Sequence, residues 1–225
     1  MSVALDLANV VKEAHAPGAT ITVTKPPSVS NGDYWFVHIT SDTPTTVTLP
    51  TGWVRIDSRR TSGDQSLDVL YRVIDSSEGS TETFSVSGGA TKATQSFKGT
   101  GINAINTANG SNGPGGVVNP FNATGAAITT TQNNCLLVWA GCGDTSTGGA
   151  TTWTVPSGYT DLTQYSDGAW NTQAVATKTQ ATAGAESAAT GVCTGIGGEG
   201  FAIQYALEPS GSSPTSYYLS DTVEM

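Results

Sequence analysis

Charge is scarce in this chain. Only 12% of its 225 residues are Asp, Glu, Lys or Arg, about half the roughly 25% usual in globular proteins. The polar surface must then come from Thr, Ser, Asn, Gln and Gly. That balance suits a turn-rich all-β protein and not a helical bundle, whose outer faces need Glu and Lys. The charge that is present leans acidic, with 9 Lys+Arg against 18 Asp+Glu and a net charge of −9. Such a balance neutralises no phosphate backbone, so nucleic acid is not an expected partner. No run approaches the roughly 18 apolar residues of a membrane helix. The first 16 residues lack a basic n-region and carry Asp6, Lys12, Glu13 and His15, so no signal peptide is expected and synthesis is assigned to the cytoplasm. Cysteine is limited to Cys135, Cys142 and Cys193. An odd number excludes a complete disulfide framework, and the three read as small buried hydrophobes. The two histidines, His15 and His38, have no second histidine at metal-ligand spacing.

Alternation is abundant. Thr20–Thr24, Thr46–Leu49, Leu67–Ile74, Phe84 with Val86, Trp153 with Val155, Ala174–Thr179 and Phe201–Leu207 alternate apolar with polar, while Tyr34–Ile39 and Leu136–Trp139 are bulky apolar runs. Turn signals separate them, among them Asn31-Gly32-Asp33, Pro50-Thr51-Gly52, Ser62-Gly63-Asp64, Gly88-Gly89, Pro156-Ser157-Gly158 and Gly197-Gly198. Short strands at this spacing predict a sandwich or barrel. Two stretches differ. Leu7, Val10, Val11 and Ala14 lie at i, i+3, i+4 and i+7 after Asp6, a possible N-cap, and before Pro17-Gly18; the spacing predicts a short helix within residues 1–17. Residues 99–125 are rich in Gly and Asn and read as a long surface loop.

That loop separates two halves, 18–98 and 126–208, which resemble each other. Thr48-Leu49-Pro50-Thr51-Gly52-Trp53 aligns with Thr154-Val155-Pro156-Ser157-Gly158-Tyr159 at an offset of 106. Tyr71-Arg72-Val73 aligns with Thr177-Lys178-Thr179 at the same offset, Asp33–Val37 with Asn134–Val138 at 101, Glu82 with Glu186 at 104, and Ala93–Ser96 with Ala202–Tyr205 at 109. An internal duplication follows. The expected fold is an all-β, jelly-roll-like β-sandwich built from two related halves stacked face to face, with the N-terminal helix and a C-terminal arm, 209–225, attached. Two independent domains of about 100 residues are the alternative.

The apolar strand, the Thr-Val/Leu-Pro-x-Gly-Trp/Tyr turn (Pro50, Gly52, Trp53; Pro156, Gly158, Tyr159) and the alternating strand after it resemble a β-sandwich module of bacteriophage virion proteins. Such modules occur in tail fibres, minor tail proteins and capsid-associated proteins, and the resemblance spans roughly residues 18–208. It implies a role in binding or assembly and transfers no catalytic residue. The turn also has a plain physical reading: proline fixes φ at a strand end, glycine permits a positive φ, and the aromatic ring covers the sandwich edge.

The chemistry-bearing residues form no recognised constellation. Gly195–Gly200 spells Gly-x-Gly-x-x-Gly, but strand alternation follows it where a nucleotide site needs a helix. Glu82 and Glu186, at equivalent places, read as twin surface features rather than a glycosidase pair. No dense Asp-x-Asp calcium loop occurs. No catalytic residue, metal or cofactor is assigned. Trp170, in the polar stretch Asp167–Asn171, is the aromatic expected to face a ligand. The helix face of Leu7, Val10 and Val11, and Tyr217-Tyr218-Leu219 beyond the Pro209–Pro214 linker, are the expected docking residues. The resulting expectation is a non-enzymatic virion protein that decorates a capsid in many copies, with the major capsid protein or another virion protein as partner and a homo-oligomeric, trimeric state. A tail-fibre or host-recognition adhesin is the alternative.

Overall fold

A computed structural model describes residues 2–60, 65–88, 90–107, 119–145, 151–195 and 198–210. Every regular element among them is a β-strand. The first eight are β1 (Ala4–His15), β2 (Thr20–Thr24), β3 (Tyr34–Ser41), β4 (Val47–Thr48), β5 (Trp53–Arg60), β6 (Ser66–Val73), β7 (Thr81–Val86) and β8 (Lys92–Thr100). Ten follow: β9 (Ile102–Thr107), β10 (Phe121–Gly125), β11 (Ile128–Thr130), β12 (Cys135–Thr145), β13 (Thr152–Thr154), β14 (Thr160–Ser166), β15 (Asn171–Gln180), β16 (Gly184–Glu186), β17 (Ala189–Thr194) and β18 (Gly198–Pro209).

The strand order repeats. The first eight strands form a five-stranded sheet, β1-β8-β3-β6-β5, and a three-stranded sheet, β2-β7-β4. The later strands form β9-β18-β12-β15-β14 and β10-β17-β13, in the same order, with β11-β16 as an added pair. Three cores lie between the sheets. Ile21, Val23, Trp35, Val37, Trp53 and Phe84 fill the first half. Phe121, Leu137, Trp139, Trp153, Tyr159 and Cys193 fill the second. Phe36, Val69 and Phe97 meet Val138, Val175, Phe201 and Tyr205 between the two five-stranded sheets. The molecule is thus four layers deep, with the five-stranded sheets inside. A strand covered on both faces has no solvent side to keep polar. This explains why Tyr34–Ile39 carries bulky, mostly apolar residues on both faces, and why β18 is buried along its whole length.

The β-pairing corrects two of the offsets. Phe36 stands opposite Tyr71 and Phe97, and Val138 stands opposite Thr177 and Tyr205. With Tyr71 equivalent to Thr177, the first central strand aligns at 102 rather than 101, and the last at 108 rather than 109. The difference matters because a slip of one residue exchanges the two faces of a strand. At 102, Trp35 aligns with Leu137, and both face the outer core of their own half.

The N-terminal helix is not formed. Residues 4–15 are a strand at the edge of the first five-stranded sheet. Asp6 pairs with Lys98 and Val11 with Ser96, so Leu7–Val10 stand opposite Phe97 alone. Val3, Leu5 and Leu7 alternate onto the central core, and the bulge brings Val10 onto it as well. The i, i+3 spacing that mimics a helix is therefore strand alternation interrupted by a bulge. The capping signal at Asp6 was real but serves the bulge: its carboxylate accepts from Asn9 N at 3.2 Å and from Asn9 Nδ2 at 3.0 Å. The expected loop 99–125 likewise differs from what is observed. It contains the end of β8, all of β9 and all of β10; residues 108–118 lie outside the described residues.

Contacts between the halves are reciprocal. β1 packs on β14, and β9, its equivalent, packs on β5, the equivalent of β14. Both central strands run toward the same end of the molecule, since Thr40 and Gln95 meet Gln173 there. The halves are therefore related by a pseudo-two-fold axis along the strands, the arrangement of an isologous dimer fused into one chain.

Candidate functional site

The seam between the halves grades from apolar to polar along this axis. At one end Phe36, Phe97 and Tyr205 stack, with the Phe36–Phe97 ring centroids 5.6 Å apart. Next, His38 Nε2 lies 3.1 Å from Tyr205 Oη, both residues fully enclosed. Burial holds the His38 imidazole neutral, with its pKa lowered to about 3. Further along, Gln95 Nε2 donates to Gln173 O at 3.3 Å, Gln173 Nε2 to Thr40 Oγ1 at 3.5 Å, and Asn171 Nδ2 to Thr91 Oγ1 at 3.2 Å. Every one of these bonds joins one half to the other. They give the seam a fixed register that apolar contacts alone do not specify.

At the polar end the β14–β15 turn carries Trp170, which is 40% exposed. The turn is tightly held. Asp167 Oδ1 accepts from Ala169 N at 2.8 Å and from Asn171 N at 3.0 Å, and Asp167 Oδ2 accepts from Asn171 Nδ2 at 2.7 Å. Thr145 N donates to Trp170 O at 2.8 Å. The indole is therefore presented on a preorganised turn, which lowers the ordering cost of binding. The nearby Lys92 was not legible as special. Its ammonium donates to Ala90 O at 2.6 Å and Gly18 O at 3.2 Å. It is a structural lysine that ties two loops together.

The twin turns are built alike. Trp53 N donates to Pro50 O at 3.2 Å and Tyr159 N to Pro156 O at 3.0 Å, with Gly52 at φ 87° and Gly158 at φ 80°. Glu82 pairs with Arg72 at 3.4 Å and accepts from Trp53 Nε1 at 3.0 Å; Glu186 pairs with Lys178 at 2.7 Å. The two carboxylates thus neutralise equivalent cations on different sheets, and each has a structural partner. Tyr159 Oη has none, and burial raises its pKa, helped by Glu186.

The other singled-out residues have packing roles. All three cysteines are free and buried, and burial raises their pKa values, that of Cys193 to about 12. His15 Nε2 lies 3.0 Å from Thr94 Oγ1. Gly198 leaves room for the Asp144 carbonyl and Gly200 for the Cys142 carbonyl and the Phe121 ring, as Gly141 and Gly191 do for Trp139. This accounts for Gly200, the last glycine of the Gly-x-Gly-x-x-Gly letters, without a phosphate; Gly197 lies outside the described residues. Among the described residues no His, Cys, Asp or Glu group suits a metal ion, and no helix is long and apolar enough to cross a membrane.

The expected docking residues are dispersed. Leu7 and Val10 pack against the seam, and Val11 is half-buried on β1; no helix face presents them. A groove of about 410 Å³ lies beside them, lined by Leu5, Asp6, Leu7, Ala8 and Leu162. Tyr217, Tyr218 and Leu219 lie outside the described residues. Comparison with protein-family models, with curated proteins and with solved structures found no match to this chain.

Proposed function

We propose that the chain is a non-enzymatic structural protein of a bacteriophage virion, bound in many copies as a decoration of the capsid shell. The observation that supports this reading most is the duplicated Pro-x-Gly-aromatic turn, built with the same hydrogen bond and the same positive-φ glycine in both halves. It is the motif through which the sequence resembles virion sandwich modules. The strand order supports a jelly-roll-like assignment for each half. A jelly roll is a long antiparallel hairpin rolled up, so its pairings nest from the outside inward. Here β1 pairs with β8, β2 with β7 and β3 with β6. In the second half β9 pairs with β18, β10 with β17 and β12 with β15. The departure is that β5 stays on β6 instead of crossing to β4.

The partner would be the major capsid protein or another virion protein. A trimer on a local three-fold axis fits symmetric assembly, and repeated weak contacts on a lattice give avidity without a large interface per copy. Quantitative mass spectrometry of purified virions tests the reading. The chain should be present at a copy number comparable with the shell subunits, and its absence from the particles would end the proposal. The exposed Trp170 favours a second reading, a tail or host-recognition protein that stacks a cell-surface sugar on the indole; a copy number typical of tails would select it.

A further inference from the structure

The two outer cores are built on the same strand order but handle their buried polar atoms differently. Ala176, Trp139 and Gln204 stand side by side on β15, β12 and β18, where the first half has Leu70, Val37 and Ser96 on β6, β3 and β8. Both rows face the outer core of their own half. In the first half the polar atoms here are paired within the protein. Ser96 Oγ accepts from Trp35 Nε1 at 2.6 Å, and Glu82 accepts from Trp53 Nε1 at 3.0 Å. In the second half Leu137 stands at the place of Trp35, so position 204 has no such indole to bond. Gln204 and Trp139 are fully enclosed, and Gly125 packs on Gln204 so closely that an added Cβ would lie 2.9 Å from Gln204 Cβ. Among the described residues, Gln204 Oε1, Gln204 Nε2 and Trp139 Nε1 have no hydrogen-bond partner. Exchanging the amide oxygen and nitrogen changes nothing, since both ends are unpaired. A buried polar atom left unpaired costs more than an ordinary hydrogen bond contributes. Three such atoms on directly opposite residues, whose Cβ atoms lie about 5 Å apart, point to a partner that the chain does not itself supply.

We propose that the second half's outer core holds an internal binding site for ordered water, between the Gln204 amide and the Trp139 indole. The chemistry of the three atoms selects the ligand. The amide offers a donor and an acceptor, and the indole a second donor. A cation would serve only the oxygen and an anion only the two nitrogens, and either would bring a charge into an apolar core. Water donates and accepts, and enclosed water is held by two to four polar partners of this kind. The room comes from smaller side chains: Leu137 and Ala176 replace Trp35 and Leu70 beside Gln204. The larger Trp139, at the place of Val37, leans over Gly141 and Gly191, where an added Cβ would run into its ring. The site is a property of the second half alone, because the first half closes the same place with its own Trp35–Ser96 bond.

The test is water–protein cross-relaxation NMR on the full nitrogen-15-labelled chain, and it does not depend on the virion reading. The Gln204 side-chain amide and the Trp139 indole N–H should both show cross peaks with water, of the sign that marks a long-lived contact. The Trp35 indole, bonded to Ser96, should show none. The buried hydroxyl of Tyr159, which lies in the same core, could relay such a signal by proton exchange, so the measurement is repeated on Tyr159→Phe, where both peaks should persist. In Gln204→Leu, which keeps the side chain's bulk and removes the amide, the Trp139 peak should be lost. If that variant does not fold, the native chain and Tyr159→Phe decide the matter. Absence of the Gln204 peak in the native chain would overturn the proposal. So would loss of both peaks in Tyr159→Phe, or an unchanged Trp139 peak in folded Gln204→Leu.

Discussion

His38 shows how burial decides a residue's chemistry. Its strand alternates faces, so Trp35 and Val37 enter the outer core while Phe36 and His38 enter the seam. No sequence pattern announces that its partner is Tyr205, 167 positions away; the residue type was visible and its environment was not. The folded pKa of about 3 lies below the ordinary 6.5. The stability that His38 contributes as a neutral ring is therefore complete above pH 6.5 and is lost as pH falls from there toward 3. Over that window the loss approaches about 1.4 kcal/mol per pH unit. Urea midpoints measured from pH 7 to pH 4 should fall more steeply for the native chain than for His38→Gln. Parallel slopes would show that His38 is not held neutral.

At the scale of the element, the Pro-x-Gly-aromatic turn was legible because its signal is local. Proline, glycine and aromatic each have one mechanical task within four residues. At Gly52, φ is 87° and a Cβ would lie 3.3 Å from the Arg72 guanidinium carbon. Gly52→Ala should therefore lose more than the roughly 1–2 kcal/mol of the left-handed conformation alone, because Arg72 must also shift from Glu78 and Glu82. Gly168→Ala, also at positive φ but with open space around it, should lose only the conformational part. Equal losses in chemical denaturation would remove Arg72 from the explanation. β1 was misread for the opposite reason. Its bulge is set by pairing with β8, at residues 92–100, and a bulged strand reproduces helical spacing when read alone.

For the whole molecule, the duplication was legible from the turn outward, but the stacking was not. The face-to-face expectation placed one shared core between the halves. Instead each half has its own outer core and shares the central one. Phe121 and Ala123, in the segment read as a loop, enter the second half's outer core, and Val3, Leu5, Ile102 and Ile105, in segments read as helix or loop, add to the central one. Because the central sheets contribute to both an outer core and the seam, the halves should unfold together. Phe84→Ala lies in the first half's outer core and should cost about 3–5 kcal/mol. It should lower one cooperative transition reported equally by probes in both halves; two separated transitions would contradict the shared seam.

The functional account rests on the chain being part of a particle. Immuno-gold labelling of intact phage from the source, viewed by electron microscopy, tests that most directly. The account predicts label distributed over the head at many sites per particle. Particles that carry no label on head or tail, while free protein in the same lysate is labelled, would contradict it.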